Sequence, residues 1–85
     1  MEKSKNLAEE ELQRIGQRIK ELRIAKGYSN YENFAYENDI SRTQYGRYES
    51  GSNMTMSNFL KVLKGLEVSP IDFFQGLIPD SENQS

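Results

Sequence analysis

Apolar residues return at intervals of three and four along most of this chain, the spacing of a single helix face. Leu12, Ile15, Ile19 and Leu22 form such a stripe and predict a first helix whose firm part is residues 11–26. Asn6 and Glu9 have the form of a capping box that would open it. Lys26 and Gly27 supply a cation and a stop at its end. A second helix follows a short loop, with Phe34 and Ala35 facing inward and an end near Glu37. Ser29, boxed with Glu32, and Asn30 are alternative caps for its start. Asn38 and Asp39 signal a turn, and Ile40 is an apolar plug before the next cap. Beyond residue 51 the helical spacing resumes. Thr55 caps a fourth helix carrying Met56, Phe59, Leu60, Leu63 and Leu66, with Val62 flanking and Gly65 permitting close packing. Ser69 caps a fifth, with Pro70 at its favoured first position, Phe73 and Phe74 as anchors and Gly76 as the stop.

The third helix lies in residues 40–51, ISRTQYGRYESG. Ser41 is its N-cap, Gln44 completes a capping box, and Gly51 takes the left-handed conformation that ends it. Tyr45 and Tyr48 fall on an inner face; Arg42, Thr43, Gly46 and Arg47 fall on the opposite one. An aromatic inner face and an Arg/Thr/Gly/Arg outer face suit a short helix that inserts into something polar and anionic, such as the major groove of DNA. The second helix, the turn and the third helix together span about twenty residues, the size of a helix-turn-helix unit.

With 85 residues, the chain predicts one small domain at residues 11–76, between an N-terminal extension at 1–10 and a polar tail at 77–85. It contains no cysteine and no histidine, which excludes thiolate chemistry, Cys-based zinc sites and the usual general base. No nucleophile–base pair, metal cluster or Gly-rich phosphate loop is visible, so neither an enzyme, a cofactor nor a small-molecule ligand is expected. No apolar run approaches a membrane span and no signal peptide opens the chain, which predicts a cytoplasmic protein without membrane partners. The net charge of −2, from 11 Lys+Arg against 13 Asp+Glu, argues mildly against nucleic-acid binding. Its distribution argues the other way: residues 41–53 carry Arg42, Arg47 and Glu49, a locally positive surface if Glu49 is paired internally.

Three stretches in order, IGQRIKELRIAKGYS at 15–29, FAYENDISRTQYGRYESG at 34–51 and MSNFLKVLKGLEVSPIDFF at 56–74, resemble the lambda-repressor-like (Cro or XRE-type) helix-turn-helix domain. The resemblance implies an all-α fold, a compact five-helix domain with the helix-turn-helix at its second and third helices. It implies a partly buried salt bridge between Arg23 and Glu49, tying the first helix to the third. It also implies a sequence-specific regulator of transcription, a repressor, bound as a homodimer to double-stranded DNA. Tyr45 and Tyr48 depart from the family's pattern, standing where aliphatic residues are usual.

Within that reading Arg42 and Arg47 are base-reading candidates, since a guanidinium fits guanine O6 and N7. Thr43 suits a thymine methyl or a base edge, and Gly46 lets the backbone approach DNA closely. Asn30, Tyr31, Gln44, Ser50, Ser52 and Asn53 are candidate phosphate contacts at helix ends and in the loop after the third helix. With so few cations, the salt dependence of binding is expected to be shallow. The dimer surface is expected on the fifth helix with Leu77 and Ile78, with Leu7 and Ile24 as the other candidate. The competing function is a protein-interaction module of the same fold, an antitoxin or adaptor.

Overall fold

The structure, a computed structural model, describes residues 2–77, with side chains from residue 9 onward. Leu7's side chain and Ile78, both named for a dimer surface, lie outside the described residues. Five helices follow in order: α1 Glu2–Ala25, α2 Tyr31–Glu37, α3 Arg42–Ser50, α4 Met56–Leu66 and α5 Pro70–Gln75. Among the described residues there is no strand.

The first helix begins earlier than its expected cap. Asn6 lies within α1, so the helix does not start there. Glu, Lys, Leu and Ala dominate residues 2–10 and no Gly or Pro interrupts them, so intrinsic propensity carries the helix through. Its end is as expected: Gly27 turns left-handed at φ 108°, and the Tyr28 N–H bonds back to the Arg23 carbonyl at 3.1 Å.

Of the two candidate caps for α2, Asn30 is the one used; its side-chain oxygen accepts from the Glu32 N–H at 2.7 Å. The turn into α3 is tight. Asp39 adopts the left-handed conformation at φ 59°, which the short Asp side chain tolerates, and the Ile40 N–H returns to the Ala35 carbonyl at 2.9 Å. Ser41 caps α3 by accepting from the Gln44 N–H, at a long 3.4 Å. Among the described residues the Gln44 side chain makes no return bond to Ser41, so the expected capping box is half formed.

The interior is built where α1, α2 and α3 meet α4 and α5. Phe34 sits 5.1 Å from the Tyr45 ring, and Tyr45 lies edge-on to Tyr48 at 6.5 Å. On the other side Phe73 meets Phe59 edge-on at 5.3 Å. The stripe of α4 is rotated from the expected one. Val62 is fully buried beside Phe59, Leu63 and Leu66, whereas Met56 and Leu60 are 67% and 46% exposed. Phe74, expected as a second anchor of α5, is 44% exposed, because six residues present only one narrow face to the core. Tyr36 is 86% exposed, while Tyr28 packs edge-on to Phe34 and donates to Glu37 at 2.6 Å. Two arginines of α1 hold the end of α5: Arg18 donates to the Phe73 carbonyl at 2.9 Å, and Arg14 donates to that of Leu77.

Candidate nucleic-acid interface

The third helix is held against the first by a close approach and a buried ion pair. Gly16 is buried in α1 where the backbone of α3 arrives: a Cβ there would stand 2.5 Å from the Tyr48 carbonyl oxygen and 2.7 Å from that of Glu49. Two turns further along α1, Arg23 donates from Nε to Glu49 Oε2 at 2.7 Å and from Nη2 to Oε1 at 3.2 Å. Its remaining nitrogen reaches the Tyr28 carbonyl, and the side chains of the pair are 4% and 9% exposed. The Glu49 hydrogen bond raises the Arg23 guanidinium above its ordinary pKa against an opposing desolvation, so Arg23 keeps its charge despite burial. Both carboxylate oxygens of Glu49 are thereby occupied within the protein.

Beside this pair the Tyr45 hydroxyl is buried without a hydrogen-bond partner among the described residues. Burial first, and the Glu49 carboxylate second, push its pKa well above the usual phenol range. The neighbouring Tyr48 hydroxyl is satisfied, accepting from Asn58 at 3.0 Å. Glu49 is close enough to act on the Tyr45 hydroxyl, but its two oxygens are turned to Arg23 and no contact to that hydroxyl has hydrogen-bond geometry, so removing it relieves a desolvation cost. Tyr45→Phe is therefore expected to raise the unfolding free energy by on the order of 1 kcal/mol in a urea titration. Tyr48→Phe is expected to lower it.

The outward face of α3 carries the expected polar set, and the structure divides it between recesses. Thr43, Gly46, Arg47 and Ser50 line a groove against α1, with Tyr31 at its end. Gln44, Ser52 and Asn53 line a second recess against the start of α4, and Arg47 lines that one too, on the ridge between them. Arg47 is exposed and makes no ion pair among the described residues. Arg42 stands apart, near α2, 3.8 Å from Glu32 with both side chains well exposed. Such a pair is loose enough to exchange for another anion. Asn30 lines neither recess, and its oxygen is committed to capping α2. Ser50 donates to the Gly46 carbonyl at 3.1 Å.

The space left by the missing side chain of Gly46 is used within the protein. A Cβ there would lie 3.2–3.3 Å from the Tyr31 ring, which therefore rests on the α3 backbone. Gly46 seats Tyr31 whether or not it also admits a close approach by DNA. Two positioning features escaped the sequence reading. Gly16 was detectable, since a glycine in a helix interior costs about 1 kcal/mol and asks for a reason. The Asn58–Tyr48 bond carries no local signal. Among the described residues no group of three or more His, Cys, Asp or Glu side chains could hold a metal ion, and no helix is long and apolar enough to cross a membrane.

These features agree with what the chain is similar to. A helix-turn-helix family model matches residues 19–73. A curated relative, control protein C.BamHI of Bacillus amyloliquefaciens, is 34% identical over 59 residues, which is 68% of this chain and 73% of the relative. The crystal structure of the restriction-modification controller protein C.AhdI from Aeromonas hydrophila superposes with a TM-score of 0.69 at 35% identity, covering 75% of this chain and 97% of that one. The controller protein C.Esp1396I, solved as a tetramer in complex with its natural 35 base-pair operator, gives a TM-score of 0.70 at 32% identity, covering 87% and 95%. The chain belongs to the helix-turn-helix family of Cro/XRE type, among the restriction-modification controller proteins. That is a family of DNA-binding regulators, not of enzymes.

Proposed function

We propose that this protein is a sequence-specific DNA-binding regulator of transcription, a repressor, that places α3 in the major groove of an operator within a restriction-modification locus. It acts in the cytoplasm and catalyses no reaction. The observation that carries the reading is Arg47: an exposed guanidinium on the outermost ridge of α3, without a carboxylate partner among the described residues and flanked by two polar recesses. A free guanidinium in that position is suited to a guanine edge, with Thr43 beside it for an adjacent base. Tyr31 on one side, and Gln44, Ser52 and Asn53 on the other, line the recesses along which flanking phosphates would run, whereas the Ser50 hydroxyl proton is already given to the Gly46 carbonyl.

One helix of nine residues reads only a few base pairs, so useful affinity calls for two half-sites and a dimer. We assign the homodimer surface to the exposed apolar side chains of α4 and α5, namely Met56, Leu60, Ile71 and Phe74. This keeps the fifth helix of the sequence expectation and extends it to α4. The tetrameric assembly of C.Esp1396I on its operator supports an oligomer.

Fluorescence anisotropy with labelled duplexes at low salt tests the reading. The wild-type protein is expected to bind operator duplex tightly and mixed-sequence duplex weakly. Arg47→Ala is expected to lose about 1–3 kcal/mol of operator binding, roughly 5- to 150-fold. A wild-type protein that binds no duplex at low salt would overturn it and favour the protein-interaction module.

A further inference from the structure

The groove between α1 and α3 carries a charge balance opposite to that of the chain. Its lining holds Lys20, Arg23 and Arg47 against the single carboxylate of Glu49, a net of two positive charges, whereas the whole chain has a net charge of −2. Arg23 and Glu49 cancel each other at 2.7 Å, so the surplus belongs to Lys20 on one wall and Arg47 on the other. Lys20 is exposed and, like Arg47, makes no ion pair among the described residues. Two like charges left uncancelled across an open groove repel each other, and an anion between them relieves the repulsion. The groove has a volume of ≈ 580 Å³ and opens beside the outward face of α3.

We propose that Lys20 contacts a backbone phosphate of bound DNA, and that the α1–α3 groove is the seat of that phosphate. The proposal rests on the reading of α3 as the DNA-inserted helix and adds to it a contact from α1. With α3 in the major groove, the flanking strand passes along the helix's side, where Lys20 faces Arg47 and the Tyr31 rim. Lys20 neutralises the phosphate, which leaves Arg47 free for base edges. Glu49 does not oppose this, because both of its oxygens are turned to Arg23.

A phosphate contact has a signature that a packing role lacks. It weakens binding on every sequence alike and lowers the dependence of affinity on salt by about one unit in the log–log slope. Lys20→Gln is compared with Lys64→Gln, an exposed lysine of α4 that is not on the groove and changes the net charge equally. Operator and mixed-sequence duplexes are titrated across a salt series. Lys20→Gln is expected to bind both duplexes severalfold more weakly with the slope reduced by about 1, and Lys64→Gln to keep the wild-type slope. Wild-type binding with an unchanged slope in Lys20→Gln would overturn the contact and leave the role of α3 standing, as would an equal loss in Lys64→Gln. A wild-type protein that binds neither duplex would overturn both.

Discussion

Replacing Arg23 alone with methionine is expected to lower the unfolding free energy by about 3–5 kcal/mol, the range for stripping one partner from a buried pair. The reason is what remains. Glu49 is nearly enclosed and would lose both of its guanidinium bonds. Glu49→Leu alone should cost a similar amount by stranding Arg23, whereas Arg23→Met with Glu49→Leu should recover much of the loss. Urea titrations of the four proteins measure this directly. Single substitutions that cost less than about 1 kcal/mol would show that water or another side chain rescues the orphan. Arg23→Met also leaves a carboxylate uncancelled on the floor of the groove, so its operator affinity should fall beyond what unfolding explains.

Gly16→Ala is expected to cost about 3 kcal/mol, the upper end of the overpacking range, despite the helix propensity gained. The added carbon would meet two backbone oxygens, those of Tyr48 and Glu49, at 2.5 and 2.7 Å. A backbone cannot swing aside as a side chain can, so α3 has to move off α1. Gly65→Ala is the comparison: its new carbon would meet the Asn38 side chain, which has to swing aside and give up its 2.8 Å bond to the Phe34 carbonyl, a smaller cost than moving a backbone. Thermal or urea unfolding should rank Gly16→Ala well below Gly65→Ala. Because the shift displaces the outward face of α3, folded Gly16→Ala should also bind operator less tightly.

The two predictions concern the junction of α1 and α3, which the sequence revealed only in part. The limits of α3 were legible because Ser41 and Gly51 act on their own neighbours, through a cap and a left-handed turn. The resemblance pointed to the Arg23–Glu49 bridge, and the geometry shows how closely it binds the two helices. The start of α1 was misjudged because Asn6 has the form of a cap, and only the propensity of the residues around it shows that it is passed over. In α4, Leu60 and Val62 are equally apolar, and which one is buried depends on where α5 docks. The sharing of Gly46 with Tyr31 and the groove beside Lys20 join residues from separate helices. No spacing along the chain encodes them.

The base-reading role proposed for Arg47 is tested most directly by selecting bound duplexes from a random pool with wild-type and Arg47→Ala proteins in parallel. The wild-type protein should enrich paired half-sites about one helical turn apart, with a guanine fixed at one position of each. The variant should enrich the same half-sites with that one position relaxed. Identical motifs from the two proteins, or no enrichment by the wild type, would contradict base reading by the third helix.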